Sequence, residues 1–325
     1  MTVMLEARGL VKHFGAIRAV DGISFKVEKG EVLGFLGPNG AGKTTTMKML
    51  TGYLSPTSGE AFICGQNVHD EPLATKRRLG YLPEGAPGYS DMTPRSFLDF
   101  IAAARGLKAD REAAIEAAGE SVHLASVWDQ PIETLSKGFR RRVGLAQALI
   151  HDPDILILDE PTDGLDPNQK HEVRALIRNM ASEKAIIIST HMLEEVDAIC
   201  SRAIIIDRGR IVADGHPDEL KARSRYRNAV TLVLPASGAE QVEKALAALD
   251  EVTDTSRSSD GDRCQVTAFA KGGKPILAAV NHLVARMSWA VEEISVDQGR
   301  LDDVFRSLTH SDAVDAGDAA SGETP

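Results

Sequence analysis

Short runs of apolar and β-branched residues alternate with longer stretches of helical periodicity in the first part of the chain. Runs such as EVLGFLG, DILILDE and AIIIST have the length of a buried strand, and helical patterns such as PNQKHEVRALIRNMASE follow them. Strands that alternate with crossover helices indicate a mostly parallel sheet that is covered on both faces. The pattern therefore predicts an α/β fold.

A different pattern interrupts this alternation between Gly80 and Leu135. Helical stretches such as RSFLDFIAAARGL and DREAAIEAAGESVHL dominate there, and the signal for strands fades. We predict a helical subdomain, at about residues 84–135, that is inserted into the sheet domain. The apolar positions of MTPRSFLDFIAAARGL fit either a docking surface or the core of this subdomain.

The character of the chain changes again after residue 220. The charged segment KARSRYRN precedes two rounds of strand and helix patterns, from AVTLVL to RLDDVFRSL, which suggest a β-α-β-β-α-β domain of the ferredoxin-like type. The final SDAVDAGDAASGETP is small, acidic and free of aromatics, as disordered segments are. The predicted ranges are 1–220 for the α/β domain, 221–228 for a connector, 229–309 for an α+β accessory domain and 310–325 for a disordered acidic tail.

Composition limits the setting in which the chain works. A net charge of -10 argues against a broad nucleic-acid-binding face, which would be basic. The 3 cysteines form no CxxC pair and no even set, so neither a disulfide framework nor a metal site is expected. No apolar run reaches the roughly 18 residues of a transmembrane helix, and the N-terminus lacks the pattern of a signal peptide. We expect a cytoplasmic protein that reaches a membrane only through a partner.

The segment GPNGAGKTT has the spacing of a P-loop and stands between a predicted strand and a predicted helix. Its glycines let backbone N–H groups close around phosphate oxygens, while Lys43 is expected to reach the β- and γ-phosphates and Thr44 to hold Mg²⁺. ATP and Mg²⁺ are therefore the predicted ligands. The predicted contacts in this loop are Gly37, Pro38, Asn39, Gly40, Ala41, Gly42, Lys43, Thr44 and Thr45.

Two adjacent carboxylates end the buried run ILILDE. Ligands of open α/β sheets bind at the carboxyl ends of the strands. Asp159 is expected to contact Mg²⁺ or its water, and Glu160 is expected to act as general base on the attacking water. His191 follows the run AIIIST at the same predicted edge, where an imidazole can hydrogen-bond the γ-phosphate and the attacking water.

The remaining aromatic and imidazole candidates carry a weaker signal. Phe14 fits either stacking on adenine or packing in the core. Histidines elsewhere in the chain are expected at the surface: His13, His69, His151, His171 and His216.

A second helix start, LSKGF, follows the P-loop about a hundred residues later. Ser136 and Gly138 stand where unpaired N–H groups and the positive end of the helix dipole favour an anion. The next residues, Arg140 to Arg142, fit a basic helix face or an ordinary solvated one.

The motifs GPNGAGKTT, LSKGF, ILILDEP, DGLDP and STH, in this order, resemble the ATP-binding subunits of ABC transporters over about residues 1–220. The resemblance implies two subunits that meet head to tail, with each ATP between the P-loop of one and the signature helix of the other. Ser136, Lys137, Gly138 and Asp166 would then face the nucleotide of the second subunit. Lys137 and Phe139 replace a glycine and the glutamine of the common signature LSGGQ.

Two further positions follow from the resemblance. Glu84 stands where most of the family has a glutamine that touches Mg²⁺, and it is expected to coordinate the ion. Val20 is expected to contact the nucleotide. The segments YLPEGAPGYSDMT and LSKGFRRRVGLAQAL, with a terminal LDDVF, look like ATPases of type-two ABC exporters similar to the gliding-motility ATPase GldA.

The resemblance implies an ATP-hydrolysing subunit that drives a separate integral membrane permease from the cytoplasmic face of the cell membrane. The segment from Glu84 to Leu107 would receive the coupling contact. A soluble ABC ATPase acting on ribosomes or DNA is the alternative, but its usual second nucleotide domain or long coiled coil does not occur here. A regulator without hydrolysis is disfavoured because Glu160 and His191 are both present. No nucleic-acid partner is expected.

Overall fold

The computed structural model describes residues 2–85, 89–108 and 111–309. It divides the chain into two compact units, Met1–Asp214 and Gly215–Pro325. This division falls a few residues before the predicted end of the α/β domain at residue 220. The predicted acidic tail lies outside the described residues.

The first unit follows the predicted alternation of strands and helices. Two short 3-10 helices, Ala125–Val127 and Ile132–Thr134, also precede the helix that begins at Lys137. Its elements, up to residue 215, are β1 (Val3–Phe14), β2 (Ile17–Glu28), β3 (Val32–Leu36), α1 (Lys43–Leu50), β4 (Ser58–Ile63), β5 (Gln66–Asn67), α2 (Pro72–Arg78), β6 (Leu79–Leu82), α3 (Pro94–Ala104), α4 (Arg111–Ser121), α5 (Lys137–Leu149), β7 (Ile155–Asp159), α6 (Pro167–Ala181), β8 (Ala185–Thr190), α7 (Leu193–Ile199), β9 (Arg202–Asp207) and β10 (Arg210–Gly215).

A six-stranded sheet with the order β10-β9-β3-β8-β7-β6 forms the centre of this unit. The pairs β3 with β8, β3 with β9, β6 with β7 and β7 with β8 are parallel. Every residue of β3 and β7 is buried, which explains why these strands are apolar throughout rather than alternating. The predicted α/β fold is confirmed.

A second sheet, with the order β2-β1-β4-β5 and antiparallel pairing, was not anticipated from the sequence. Its inner residues Leu5 and Phe25 share one core with Phe35 of β3, Met47 of α1 and Ile187 of β8. The helix that carries the P-loop lysine is therefore held between two sheets.

The stretch between β6 and α5 is helical in its described part. Thr93 caps α3 through a reciprocal pair of side-chain hydrogen bonds with Ser96, which fixes where that helix begins. Helix α3 packs against α4, and α4 packs against α5. Within the described ranges, none of the helices has the length and apolar character that a bilayer span needs.

The second unit has a core of its own under a four-stranded antiparallel sheet with the order β12-β13-β11-β14. Helices α9 and α10 cover one face, where Val230, Leu232, Val242, Val266 and Val280 are buried together. The elements of this unit are α8 (Pro217–Lys221), β11 (Arg227–Pro235), α9 (Ala239–Ala247), β12 (Val252–Asp260), β13 (Arg263–Ala270), α10 (Leu277–Met287), β14 (Glu293–Gln298) and α11 (Leu301–Thr309), with 3-10 helices at Ala236–Gly238 and Lys271–Gly273.

Candidate nucleotide-binding site

A cavity of about 310 Å³ opens at the carboxyl ends of the parallel strands. It brings together residues that lie far apart in the sequence, from the P-loop, the segment after β6 and the end of β7. The residues that line it are Ala19, Asn39, Gly40, Gly42, Lys43, Thr44, Thr45, Glu84, Asp159 and Glu160. The predicted P-loop, the two strand-end carboxylates and Glu84 thus belong to one site.

The P-loop backbone has a shape that side chains would prevent. Gly42 has a φ of +105°, and a Cβ there would lie 2.5 Å from the carbonyl oxygen of Ala19. A Cβ at Gly37 would lie 2.5 Å from the carbonyl oxygen of Ile206. These two close approaches explain why the loop has glycine at both positions. A glycine-rich loop of this kind can direct backbone N–H groups at phosphate oxygens.

Lys43 is the first residue of α1 and is 8% exposed. Its Nζ donates hydrogen bonds to the carbonyl oxygens of Gly37, at 2.7 Å, and of Pro38, at 3.2 Å. Burial lowers the pKa of Lys43, and the nearby carboxylates of Glu160 and Asp159 act in the opposite direction. The loop therefore holds a cation against its own carbonyls, beside the space where phosphates would bind.

The surroundings of Asp159 show whether the cavity suits Mg²⁺. Its carboxyl is 1% exposed, and its buried Oδ2 has no hydrogen-bond partner among the described residues. Burial raises the pKa of Asp159, while the neighbouring hydroxyls of Ser189 and Thr44 lower it. A buried carboxylate oxygen without a donor, near a hydroxyl and the Glu84 carboxylate, fits a hard divalent cation. Asp159, Thr44 and Glu84 are thus suited to hold Mg²⁺ with ATP.

Glu160 has an unusual backbone conformation for a glutamate, with a φ of 52°. Such a conformation costs about 1–3 kcal/mol and persists only where the surroundings enforce it. The N–H of Glu160 donates to the carbonyl oxygen of Ser189 at 2.8 Å. Its side-chain Oε1 lies 2.8 Å from Nδ1 of His191. The strained backbone thus directs the predicted base toward the predicted histidine.

Arg141 is a residue of this site that the sequence analysis did not identify. It was expected on a basic or solvated helix face, but the structure shows it 5% exposed, and its neighbour Arg142 is 9% exposed. Burial lowers the pKa of Arg141, against the opposing effect of Asp159. The Arg141 guanidinium donates hydrogen bonds to the main-chain carbonyl oxygens of Pro83, Glu84, Asp159, Glu160 and Pro161.

The signature helix α5 begins outside this cavity. Ser136 caps the helix by accepting a hydrogen bond from the N–H of Phe139 at 3.3 Å, and it is exposed. Asp166 caps α6 in the same way, accepting from the N–H of Gln169 at 2.9 Å. A Cβ at Gly138 would lie 2.5 Å from the side-chain oxygen of that glutamine, so the two helix starts are in close contact.

Lys137 strengthens this contact between the two helix starts. Its Nζ lies 2.7 Å from Oδ2 of Asp163, in the loop before α6, and its aliphatic chain covers Gly164. Of the predicted interface residues, Ser136, Lys137 and Asp166 are therefore exposed at these two adjoining helix starts, and Gly138 is buried beneath them. The described residues that line the nucleotide cavity do not include any of these four.

Two expected nucleotide contacts differ in their exposure. Phe14, at the end of β1, is 49% exposed and available for stacking. Val20 is fully buried in the core, with Cγ2 3.4 Å from the position of a Cβ on Gly42, so it supports the P-loop from behind while Ala19 lines the cavity. The expectation that Val20 touches the nucleotide is therefore corrected to a supporting contact.

Five histidines were expected at the surface, and one of them, His151, is instead half-buried. Its Nε2 is 3.0 Å from the carbonyl oxygen of Leu79, and burial lowers the pKa of His151 to about 4. The other four histidines of that set are exposed.

Comparison with known proteins places this geometry in a family. A family model described as ABC transporter matches residues 20–163. The daunorubicin/doxorubicin resistance ATP-binding protein DrrA of Streptomyces peucetius is 34% identical over 322 residues, which are 97% of this chain and 94% of that protein. The chain belongs to the ABC transporter family.

Other relatives of this ABC ATP-binding chain match about two thirds of it. The probable multidrug ABC transporter ATP-binding protein YbhF of Escherichia coli is 38% identical over 223 residues, which are 68% of this chain but only 38% of YbhF. A solved structure titled as the ATP binding subunit of an ABC transporter has a TM-score of 0.63 and 30% identity, and it covers 67% of this chain and 92% of that one. The match to DrrA covers 97% of the chain and therefore includes most of the second unit.

Proposed function

We propose that this chain hydrolyses ATP as one subunit of a pair that closes around two MgATP and drives a membrane permease of a type-two ABC exporter. One observation carries the proposal: the Glu160 carboxylate lies 2.8 Å from His191 in a cavity that also contains Lys43 and Asp159. A base, a phosphate-binding lysine and a carboxylate suited to Mg²⁺ are the parts that phosphoryl transfer to water requires.

The chemistry assigned to these residues is simple. Glu160 accepts a proton from the attacking water, whose oxygen forms the new bond to the γ-phosphorus as the bond to the β,γ-bridging oxygen breaks. His191 donates a hydrogen bond from Nδ1 to the Glu160 carboxylate and holds the base in place beside the γ-phosphate. Mg²⁺ held by Asp159, Thr44 and Glu84 would neutralise charge on the phosphates. Lys43 leaves the carbonyls of Gly37 and Pro38 and pairs with the β- and γ-phosphates.

The head-to-tail pair is supported by the position of the signature helix. Its capped start at Ser136 is exposed and lies apart from the residues that line the chain's own cavity. An anion is favoured at such a helix start. We infer that Ser136, Lys137, Gly138 and Asp166 meet the γ-phosphate held by a second copy. ATP then bridges the two copies, and its hydrolysis releases them.

The membrane partner is supported by the relatives and by one exposed aromatic pair. DrrA is described as a resistance ATP-binding protein and YbhF as a probable multidrug transporter component. Between Glu84 and Leu107, Tyr89 and Phe100 are exposed and form an edge-to-face pair with ring centroids 5.6 Å apart. We propose that this segment receives the permease and that the chain works on the cytoplasmic face of the cell membrane. The narrower likeness to GldA stays a prediction.

The second unit is proposed to be a ferredoxin-like accessory domain. Its element order β11, α9, β12, β13, α10, β14 and its strand order support this assignment. The proposed ranges are 221–228 for the connector and 229–309 for the domain, and β11 begins two residues before that start, at Arg227.

The test uses Glu160→Gln, which keeps the shape of the side chain and removes the base. Size-exclusion chromatography of this variant is expected to show a shift from monomer to dimer with MgATP. Ser136→Arg added to it should abolish the shift, while Ser126→Arg, at an exposed serine of the helical stretch, should not. A Glu160→Gln protein that binds MgATP and dimerises equally with Ser136→Arg would contradict the head-to-tail pair. Absence of phosphate release from the unmodified chain together with its permease would contradict hydrolysis.

A further inference from the structure

We propose that Arg141 is a positioning residue that locks the backbone of Glu160 and of Glu84 to the signature helix, and so couples the start of that helix to the hydrolytic site of the same chain. This rests on the proposed function, because it assigns Glu160 to hydrolysis.

The hydrogen bonds of Arg141 form a saturated set. A guanidinium has five N–H donors in a planar fork, and this one faces five carbonyl oxygens. Nη1 lies 2.7 Å from the oxygen of Pro83 and 2.9 Å from that of Glu84. Nη2 binds the oxygens of Asp159 and Glu160. One buried side chain thus joins two segments that both line the cavity.

The hydrogen bond to Glu160 acts on the residue with the strained backbone. Its N–H donates to the carbonyl oxygen of Ser189 at 2.8 Å, and its own carbonyl oxygen accepts from the Arg141 guanidinium and, at 3.2 Å, from the N–H of Asp163. Since a glutamate does not favour a φ of 52°, this peptide needs a partner on each side to keep that conformation. Without Arg141, relaxation of the peptide would turn the carboxylate away from His191.

The position of Arg141 on α5 extends this role beyond local support. Ser136 caps the same helix, and Arg141 lies little more than one turn into it. A helix moves as a rigid body over such a distance, so a shift of its start against the partner's phosphate also shifts the guanidinium. Arg141 therefore aligns the base of one ATP site when the helix closes on the other.

The first measurement is amide hydrogen exchange of the full-length, nucleotide-free protein. Arg141→Gln is expected to raise exchange of the Glu160 and Asp163 amides about tenfold. The reason is that the Glu160 carbonyl, which also accepts from the Asp163 N–H, loses its charge-assisted hydrogen bond from Arg141. Arg141→Lys, which keeps the charge but not the fork, should give a smaller increase. The matched control is Arg140→Gln, which removes the same charge from the neighbouring exposed position and should leave this exchange unchanged. If Arg141→Gln does not fold, Arg141→Lys decides the result.

The second measurement separates positioning from binding. Arg141→Gln should lower kcat for ATP about 100-fold while KM changes less than about threefold, and Arg141→Lys should recover part of kcat. Exchange at Glu160 equal to that of the unmodified protein overturns the proposal, as does an unchanged kcat. If the unmodified protein releases no phosphate but Arg141→Gln raises exchange, the positioning of Glu160 stands and the proposed hydrolysis fails.

Discussion

The Nδ1 atom of His191 lies 2.8 Å from Oε1 of Glu160, although the two residues are 31 positions apart in the sequence. The pairing of β7 with β8 produces this contact, because the parallel register sets Asp159 opposite Ser189. Each strand then ends within two residues, and its next polar side chain projects from the same edge. The relationship therefore follows from sheet topology, and it needs no long loop to bring the two residues together.

Replacing Glu160 by glutamine is expected to lower the rate of phosphate release about 10²- to 10⁴-fold, since the general base is lost. ATP affinity should be retained, because the amide has the same shape and can still contact His191. Single-turnover phosphate release and nucleotide titration would measure the two effects separately. Glu183→Gln, at an exposed position after α6, is the matched control and should leave both quantities unchanged.

Replacing Lys43 by alanine is expected to weaken ATP binding about 10- to 100-fold, because a charge-assisted hydrogen bond to phosphate is lost. Lys48 lies on the same helix α1 but is exposed, so Lys48→Ala is the matched control. Titration with a fluorescent ATP analogue would give both dissociation constants. Equal affinities in the two variants would place the phosphates away from the P-loop.

The sequence predicts those parts of the fold in which every residue of a segment has the same environment, such as complete burial. Strands β3 and β7 are buried on both faces, so their apolar runs are unmistakable. Strand β12 is mostly exposed and reads VTDTSRSSD, which gives no apolar alternation to detect. The antiparallel sheet of β1 and β2 was missed because its pairing interrupts its own register at several points.

The candidate site divides in the same way. P-loop residues and strand-end carboxylates have fixed local contexts, so their meeting at one edge was predictable. Arg141 could not be identified, because its partners are main-chain oxygens from distant segments, and a carbonyl leaves no signature in the sequence. Val20 was misjudged because the pattern does not distinguish a residue that lines a cavity from one directly behind the loop.

Replacing Asp159 by asparagine is expected to stabilise the nucleotide-free protein and weaken Mg²⁺-dependent ATP binding. Burial raises the pKa of Asp159, so its ionised form near neutral pH is less favourable in the folded chain than in the unfolded one. Removing that charge should raise the thermal midpoint by about 2–4 °C for each kcal/mol gained. The gain should be present at pH 7.5 and shrink as the pH falls, because the native carboxyl then takes up its proton. Thermal scans with Asp129→Asn as an exposed control would check this.

Replacing His151 by glutamine is expected to reduce the sensitivity of the fold to mild acid. Burial lowers the pKa of His151 from 6.5 to about 4, so between these values the unfolded chain binds a proton that the folded chain does not. Stability is therefore fully present above pH 6.5 and falls with decreasing pH by up to about 1.4 kcal/mol per pH unit. Glutamine can still donate to the carbonyl of Leu79 but does not titrate. Urea unfolding at pH 7.5, 6 and 5 would measure the free energy of unfolding across this pH range. It should fall less with decreasing pH in His151→Gln than in the exposed control His69→Gln. If the free energy of unfolding depends on pH equally in the two variants, His151 takes up its proton in the folded protein as readily as in the unfolded chain.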